Sequence, residues 1–310
     1  MPAQKAALKV RFGSAVEPPA SSQEKPPLIQ LIRARQAQAV AISAGSNHAL
    51  GLRKDGTVVA AGDHELDQCK VNGWRGIVAV SAGKWHSLGL QADGMVVAIG
   101  YRSDNQCQVN DWREIVAIST GGWHSLGLRK DGTVVATGDN REAQCKVNSW
   151  REIVAISAGK WHSLGLREDG TVAAAGKNES NQCAVSSWRE IVAISAGSHH
   201  SLGLRGDGTV AAAGKGWSNQ CAVSGWREVV AVSAGEWHSL GLRSDGTVVA
   251  TGDNRKGQCA VSSWQDVVAI SAGDTYSLGL RADGTMLVAG EFSQRDQVLT
   301  WRNIGPAQGE

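Results

Sequence analysis

The sequence predicts an all-β fold, a seven-bladed β-propeller with four-stranded antiparallel blades, on three observations. The first is a 38-residue repeat: Cys69, Cys107, Cys145, Cys183, Cys221 and Cys259 each stand 38 positions from the next. A period of that size marks a solenoid, a propeller or an array. The second is glycine, 38 of 310 residues, well above the usual ~7%, which favours tight turns over helices. The third is that each repeat divides into short β-type pieces, none long enough for a stable helix.

The copies begin at Ala39, Ile77, Ile115, Ile153, Ile191, Val229 and Val267, and the seventh loses one residue before Trp301. In the third copy, Ile115 to Ser119 is β-branched and apolar and ends at Gly121. His124 to Arg129 alternates, so that His124, Leu126 and Leu128 share one face. Asp131-Gly132 signals a hairpin turn of type I′. Thr133 to Thr137 is a third strand, and a polar loop leads to a fourth piece around Cys145 and Val147. A straight solenoid needs atypical capping copies. Here the end copies match the middle ones, which points to closure into a ring.

The propeller spans residues 39–303. Residues 1–27 form a tail with five of the six prolines and a charge of +2, from Lys5, Lys9, Arg11 and Lys25 against Glu17 and Glu24; such a segment is mobile when free. Residues 28–38 are read as a closing strand in which Leu28 to Ile32 latches beside Trp301 to Ile304, and residues 304–310 as a closing segment and short tail.

Charge narrows the function classes. Lys and Arg number 31 against 29 Asp and Glu, so the basic excess of a nucleic-acid binder is missing. No apolar run approaches the ~20 residues of a membrane helix. No two cysteines are close in sequence, which argues against a disulfide framework or zinc site, and free thiols suit a reducing cytoplasm. No phosphate loop, nucleophile with a neighbouring base, or metal-spaced cluster appears, so neither an enzyme nor a cofactor is expected.

Seven copies in one chain permit an internal comparison. Trp74, Trp112, Trp150, Trp188, Trp226, Trp264 and Trp301 recur in every copy and are assigned to packing of blade against blade. His48, His86, His124, His162, His200 and His238 are assigned as hydrogen-bonded core residues, with Tyr276 in the seventh place. The cysteines are read as small packed hydrophobes. The repeated aspartates, such as Asp131, are read as turn formers.

Two stretches vary instead. One is the pair before the histidine: Ser46-Asn47, Lys84-Trp85, Gly122-Trp123, Lys160-Trp161, Ser198-His199, Glu236-Trp237 and Asp274-Thr275. The other follows the third strand, as in Tyr101 to Asn105. In an antiparallel blade both connections emerge on the same side. That face would present Trp85, Trp123, Trp161, Trp237 and Trp217 among Lys84, Lys160, Lys177, Lys215, Tyr101, Arg102, Arg141, Arg255 and Glu236. Aromatics and arginine concentrate in the energetic centres of protein interfaces, so these residues are the candidate partner site. The competing reading is that the rings only seal the mouth of the propeller.

The frame AGxxHSLGLxxDGTVVAxGxNxxxQC, as in Ala234 to Cys259, resembles the regulator of chromosome condensation repeat. It is most similar to the short bacterial form, which includes propeller inhibitors of β-lactamases. The resemblance covers all seven copies and implies a propeller but no single function. In the inhibiting relatives the matching position before the histidine is rich in aromatics that meet the partner. The founding family exchanges nucleotide on a small GTPase through a protruding hairpin wedge, which repeats of uniform length leave no room for. A third reading is a glycan-binding propeller whose tryptophans stack on sugars at several equivalent sites. The expected function is a non-enzymatic module that binds another protein.

Overall fold

The computed structural model describes Leu28, Gln30 and residues 41–307. Within them lie seven antiparallel sheets, each built from one repeat in the order first, second, third strand. In the third repeat these strands are Ile115–Thr120, His124–Arg129 and Val134–Gly138. The second strand is the middle one and is buried along nearly its whole length. Its alternation therefore does not separate a wet face from a dry one, because sheets pack against both.

The sheets have three strands, not four. The piece around Cys145 and Val147 spends its backbone hydrogen bonds on local turns, Lys146 N to Ala143 O, Val147 N to Cys145 O and Trp150 N to Val147 O. With its donors satisfied locally it has none to offer a ladder. Val147 is nevertheless fully buried, so the piece contributes to the core without pairing. In the seventh repeat the corresponding stretch includes a short helix, Arg295–Leu299.

The hairpin turns also differ from type I′. Gly132 has φ of +79°, while Asp131 is not in the left-handed region; Gly132 N bonds Arg129 O, and Arg129 N bonds Thr133 O. This is a three-residue loop ending in a glycine bulge. The Asp131 carboxylate accepts from both the backbone N–H and the hydroxyl of Thr133, which fixes the turn from the side chain.

Among the described residues no strand pairing connects one sheet to the next, so no continuous ladder runs around the ring. Successive units interlock through tryptophan instead. The indole of Trp112 lies on Gly127 of the following unit, so closely that a Cβ at Gly127 would sit 2.7 Å from the ring. Trp74, Trp150, Trp188, Trp226 and Trp264 occupy the same place on Gly89, Gly165, Gly203, Gly241 and Gly279. Trp301 lies on Gly51 of the first unit. Removing one such ring would cost roughly 3–5 kcal/mol.

Polar contacts repeat the pattern. Ser119 Oγ accepts from Ala158 N at 2.9 Å, and six equivalent bonds or hydroxyl pairs follow, ending with Ala44 N to Ser271 Oγ. Deeper in, the Nε2 of His124 lies 2.9 Å from Ser163 Oγ, and Ser163 Oγ donates to Gln144 O at 2.8 Å. The hydroxyl has a single proton, so it accepts from His124, which is therefore the Nε2–H tautomer. Burial holds His124, His48 and His238 down to about 4, and His86, His162 and His200 to about 3.

The seam between the seventh and first units breaks this rule in a compensated way. The first unit has Ala49 where the others have serine, so a histidine at position 276 would find no hydroxyl. Tyr276 occupies that position, and its hydroxyl donates to His48 O at 2.7 Å. Phe292 stacks on it at 4.3 Å. Beyond Trp301, Ile304 pairs with Arg53 in an isolated antiparallel bridge.

The expected closing strand, residues 28–38, falls almost wholly outside the described residues. Leu28 and Gln30 are helical, and Leu28 lies against Gly170 of the fourth unit, across the molecule from Trp301. The rest of the expected strand, and residues 1–27, lie outside the described residues.

Two outcomes follow from these contacts. Tyr276→His should destabilise the chain by about 1–3 kcal/mol by leaving a buried donor unmet, and Ala49→Ser in that background should recover part of the loss. A double-mutant cycle in urea measures the coupling. The six histidines have folded pKa values below the unfolded value near 6.5, so the unfolded chain binds more protons between those limits. Their stabilisation is complete above pH 6.5 and declines as pH falls towards 4, by about 1.4 kcal/mol per pH unit for each histidine. The pH dependence of the urea midpoint should give a proton uptake on unfolding that approaches one per buried histidine.

Candidate functional site

Both variable loops emerge together, and in six of the seven units, the fifth excepted, a backbone bond ties them. Tyr101 N donates to Trp85 O, Asp139 N to Trp123 O, Lys177 N to Trp161 O and Asp253 N to Trp237 O. The glycine bulges lie at the other end of the strands. The first residue of each variable pair turns inward: Ser46, Lys84, Gly122, Lys160, Ser198, Glu236 and Asp274 surround one central cavity of about 90 Å³. The second residue forms a rim around it.

That rim is aromatic along an arc of five units. Trp123 stands between Trp85 and Trp161, with ring centroids 6.1 and 6.2 Å away, and Tyr101 meets it edge-on at 5.9 Å. Farther round, His199 stacks on Trp237 at 4.6 Å, and Trp217 touches both. Asn47 and Thr275 interrupt the arc at the first and seventh units. The rings are neither core nor free: those of the rim are half-buried and Trp217 is 62% exposed. Trp85 and Trp123 each keep a buried indole N–H without an acceptor. Lys84 Nζ lies 5.3 Å from the centroid of Trp85 and 5.9 Å from that of Trp123, and Lys215 Nζ 5.1 Å from that of Trp217.

The cavity mouth is spanned by an ion pair between Lys160 and Glu236 at 2.8 Å, from units two places apart. Burial and the charge of Glu236 raise the pKa of Asp274, whose carboxyl is held by Ser46. Among the described residues, no three His, Cys, Asp or Glu side chains converge as metal ligands, and no helix is long and apolar enough to cross a membrane.

The second loops are pinned from within. Gln144 is buried and accepts from Glu142 N, while Cys145 donates its thiol to Asp139 O at 3.3 Å. The cysteines are half-buried hydrogen-bond donors and not simply packed hydrophobes. Burial raises the Cys145 thiol to about 12 and those of Cys69, Cys107, Cys183 and Cys259 to about 11. On the surface of the loops, Arg141 pairs with Asp139, Arg255 with Asp253, and Lys177 with Glu179; Arg102 is exposed and forms no ion pair among the described residues.

The structure thus brings together on one face Trp85, Trp123, Trp161 and Tyr101, and, as a second cluster, Trp237 and Trp217. Lys84, Lys160 and Glu236 line the centre, while Arg102 and Arg141 lie on the outer loops. Sequence reasoning missed His199 and Asp274. His199 fills a tryptophan position in the fifth unit, and that shared offset was the available signal.

Four stretches, residues 39–68, 115–144, 153–182 and 229–258, match the family profile described as the regulator of chromosome condensation (RCC1) repeat. No curated protein matches the sequence. Among solved structures, the CRINKLY WD40 ectodomain of the Arabidopsis thaliana receptor kinase ACR4 is similar at 19% identity and a TM-score of 0.66, over 82% of this chain and 97% of that one. Yeast RCC1 (Prp20), solved with Kap60 bound, is similar at 16% identity and a TM-score of 0.64, over 96% and 90%. Prp20p from Saccharomyces cerevisiae, studied for binding to Gsp1p and histones, gives 17% and 0.61, over 82% and 83%. At these identities the likeness establishes the propeller fold alone.

The thiols that pin the loops should be slow to react. At pH 8.5 iodoacetamide should label the folded chain at least about tenfold more slowly than the urea-unfolded chain, with Cys145 among the slowest. Mass spectrometry of quenched samples measures the rates.

Proposed function

We propose that this propeller, whose chain carries regulator of chromosome condensation repeats, is a non-enzymatic module that binds another protein through the aromatic arc of its variable-loop face. The observation behind this reading is the arc itself. Five tryptophans, one tyrosine and one histidine are gathered on a face where the scaffold asks for none of them, since Asn47 and Thr275 fill the same position in other units. Half-buried rings that touch their neighbours are already ordered, so a partner would bind without a large loss of side-chain freedom. Exposed apolar area framed by charge is the usual composition of a binding surface.

The loops differ from unit to unit, which favours one partner in one orientation over several equivalent sites. Adaptor, inhibitor and assembly subunit are all served by such a surface. Six free thiols suit a reducing compartment, which supports a cytoplasmic location as part of this proposal.

The test is capture from the native cell lysate with wild type beside a Trp85→Ala, Trp123→Ala, Trp161→Ala, Trp237→Ala variant whose fold is checked by circular dichroism. One partner retained by wild type and lost by the folded variant is the expected result. Retention of the same partner by the variant would place the contact elsewhere.

A further inference from the structure

We infer that the segment bound by the aromatic arc is acidic, a stretch of a partner protein in which carboxylates alternate with apolar or aromatic side chains. This inference rests on the proposed interface and names its chemistry.

Every carboxylate on the variable loops of units two to six is already committed. Asp139 and Asp104 face Arg141 at 2.8 and 3.9 Å. Glu179 and Glu142 face Lys177 at 2.9 and 3.8 Å. Asp253 faces Arg255 at 2.8 Å, and Glu236 faces Lys160 at the same distance. Three cations on the same loops, Lys84, Arg102 and Lys215, form no ion pair among the described residues. Two of them lie over the indoles; Asp274 and Glu179 lie within electrostatic range of Lys84 and Lys215 but do not pair with them, so positive charge sits on the aromatic surface itself.

Charge also decides against occupants from the chain itself. Residues 1–27 carry an excess of two positive charges, and a second copy would present the same three cations, so both meet repulsion. A carboxylate above Lys84 or Lys215 gains a counter-ion in a partly desolvated site, while its apolar neighbours cover the rings. Such an arrangement speeds encounter and fixes register.

The experiment is selection of a randomised peptide library, each member about twelve residues long, on the full chain. The same selection is run on the quadruple tryptophan variant and on Lys84→Glu, Arg102→Glu, Lys215→Glu. Enrichment of Asp and Glu beside aromatic or aliphatic residues on wild type is expected, with loss on the tryptophan variant. For a selected peptide, affinity should fall about tenfold or more in the charge-reversed chain, and also when salt rises from about 0.05 to about 0.5 M. Selected peptides without carboxylates, or an undiminished acidic preference in the charge-reversed chain, overturn the inference. If those peptides still depend on the tryptophans, the interface itself stands. Peptides held equally by the tryptophan variant refute the interface and the inference with it. No enrichment on wild type overturns the inference alone, because lysate capture decides the interface separately. Circular dichroism of each variant separates misfolding from loss of binding, and Lys84→Gln, Arg102→Gln, Lys215→Gln supplies a milder neutralisation that should give an intermediate loss.

Discussion

Each unit of this protein completes the core of its neighbour, and that dependence governs the rest of the molecule. A three-stranded sheet of short strands is marginal alone. Placing a tryptophan from one repeat on the glycine of the next, as Trp112 lies on Gly127, makes every sheet half of a larger packed layer. Glycine is required there because any side chain would meet the indole. Trp301 on Gly51 extends the same contact across the ends of the chain, so no unit is left with an uncovered face.

Since the interlock and the serine and histidine bonds lie within or between the strands, the loops at one end are released from structural duty. Their backbones are held by the bonds between the two loops of a unit and by the buried glutamine, which leaves the side chains free to differ. Asn47 and Trp85 occupy equivalent positions without altering the scaffold. A binding surface assembled on such a framework can change its chemistry one unit at a time.

The polar core shows how closely the repeats constrain one another. The hydroxyl of Ser163 serves a histidine from one direction and a carbonyl from the other, so neither group can change alone. Where Ala49 removes the hydroxyl, Tyr276 reaches past the vacant position to a backbone carbonyl. The two departures from the repeat, 227 positions apart in the chain, form one compensated pair. Burying six neutral histidines links the same network to proton concentration.

Much of this was legible in the chain. The period, the number of units, the position of each turn and the grouping of both variable loops on one face followed from residue spacing, because those features depend on local geometry and on comparison among copies. The tryptophans and histidines read as structural for the same reason. Strand number did not follow, since the piece around Val147 has a buried apolar residue like a strand but satisfies its backbone through turns. The turn type escaped as well, because Asp-Gly suits both a type I′ turn and a glycine bulge. The meaning of Tyr276 appeared only when Ala49 stood beside it. Likewise the pairing of Lys160 with Glu236, 76 positions apart, and the lack of an ion pair at Lys84, Arg102 and Lys215 among the described residues arise from the arrangement of seven units about one axis. Sequence determined what each repeat is; tertiary structure decided which charges find partners, because that depends on distances between repeats that no single repeat encodes.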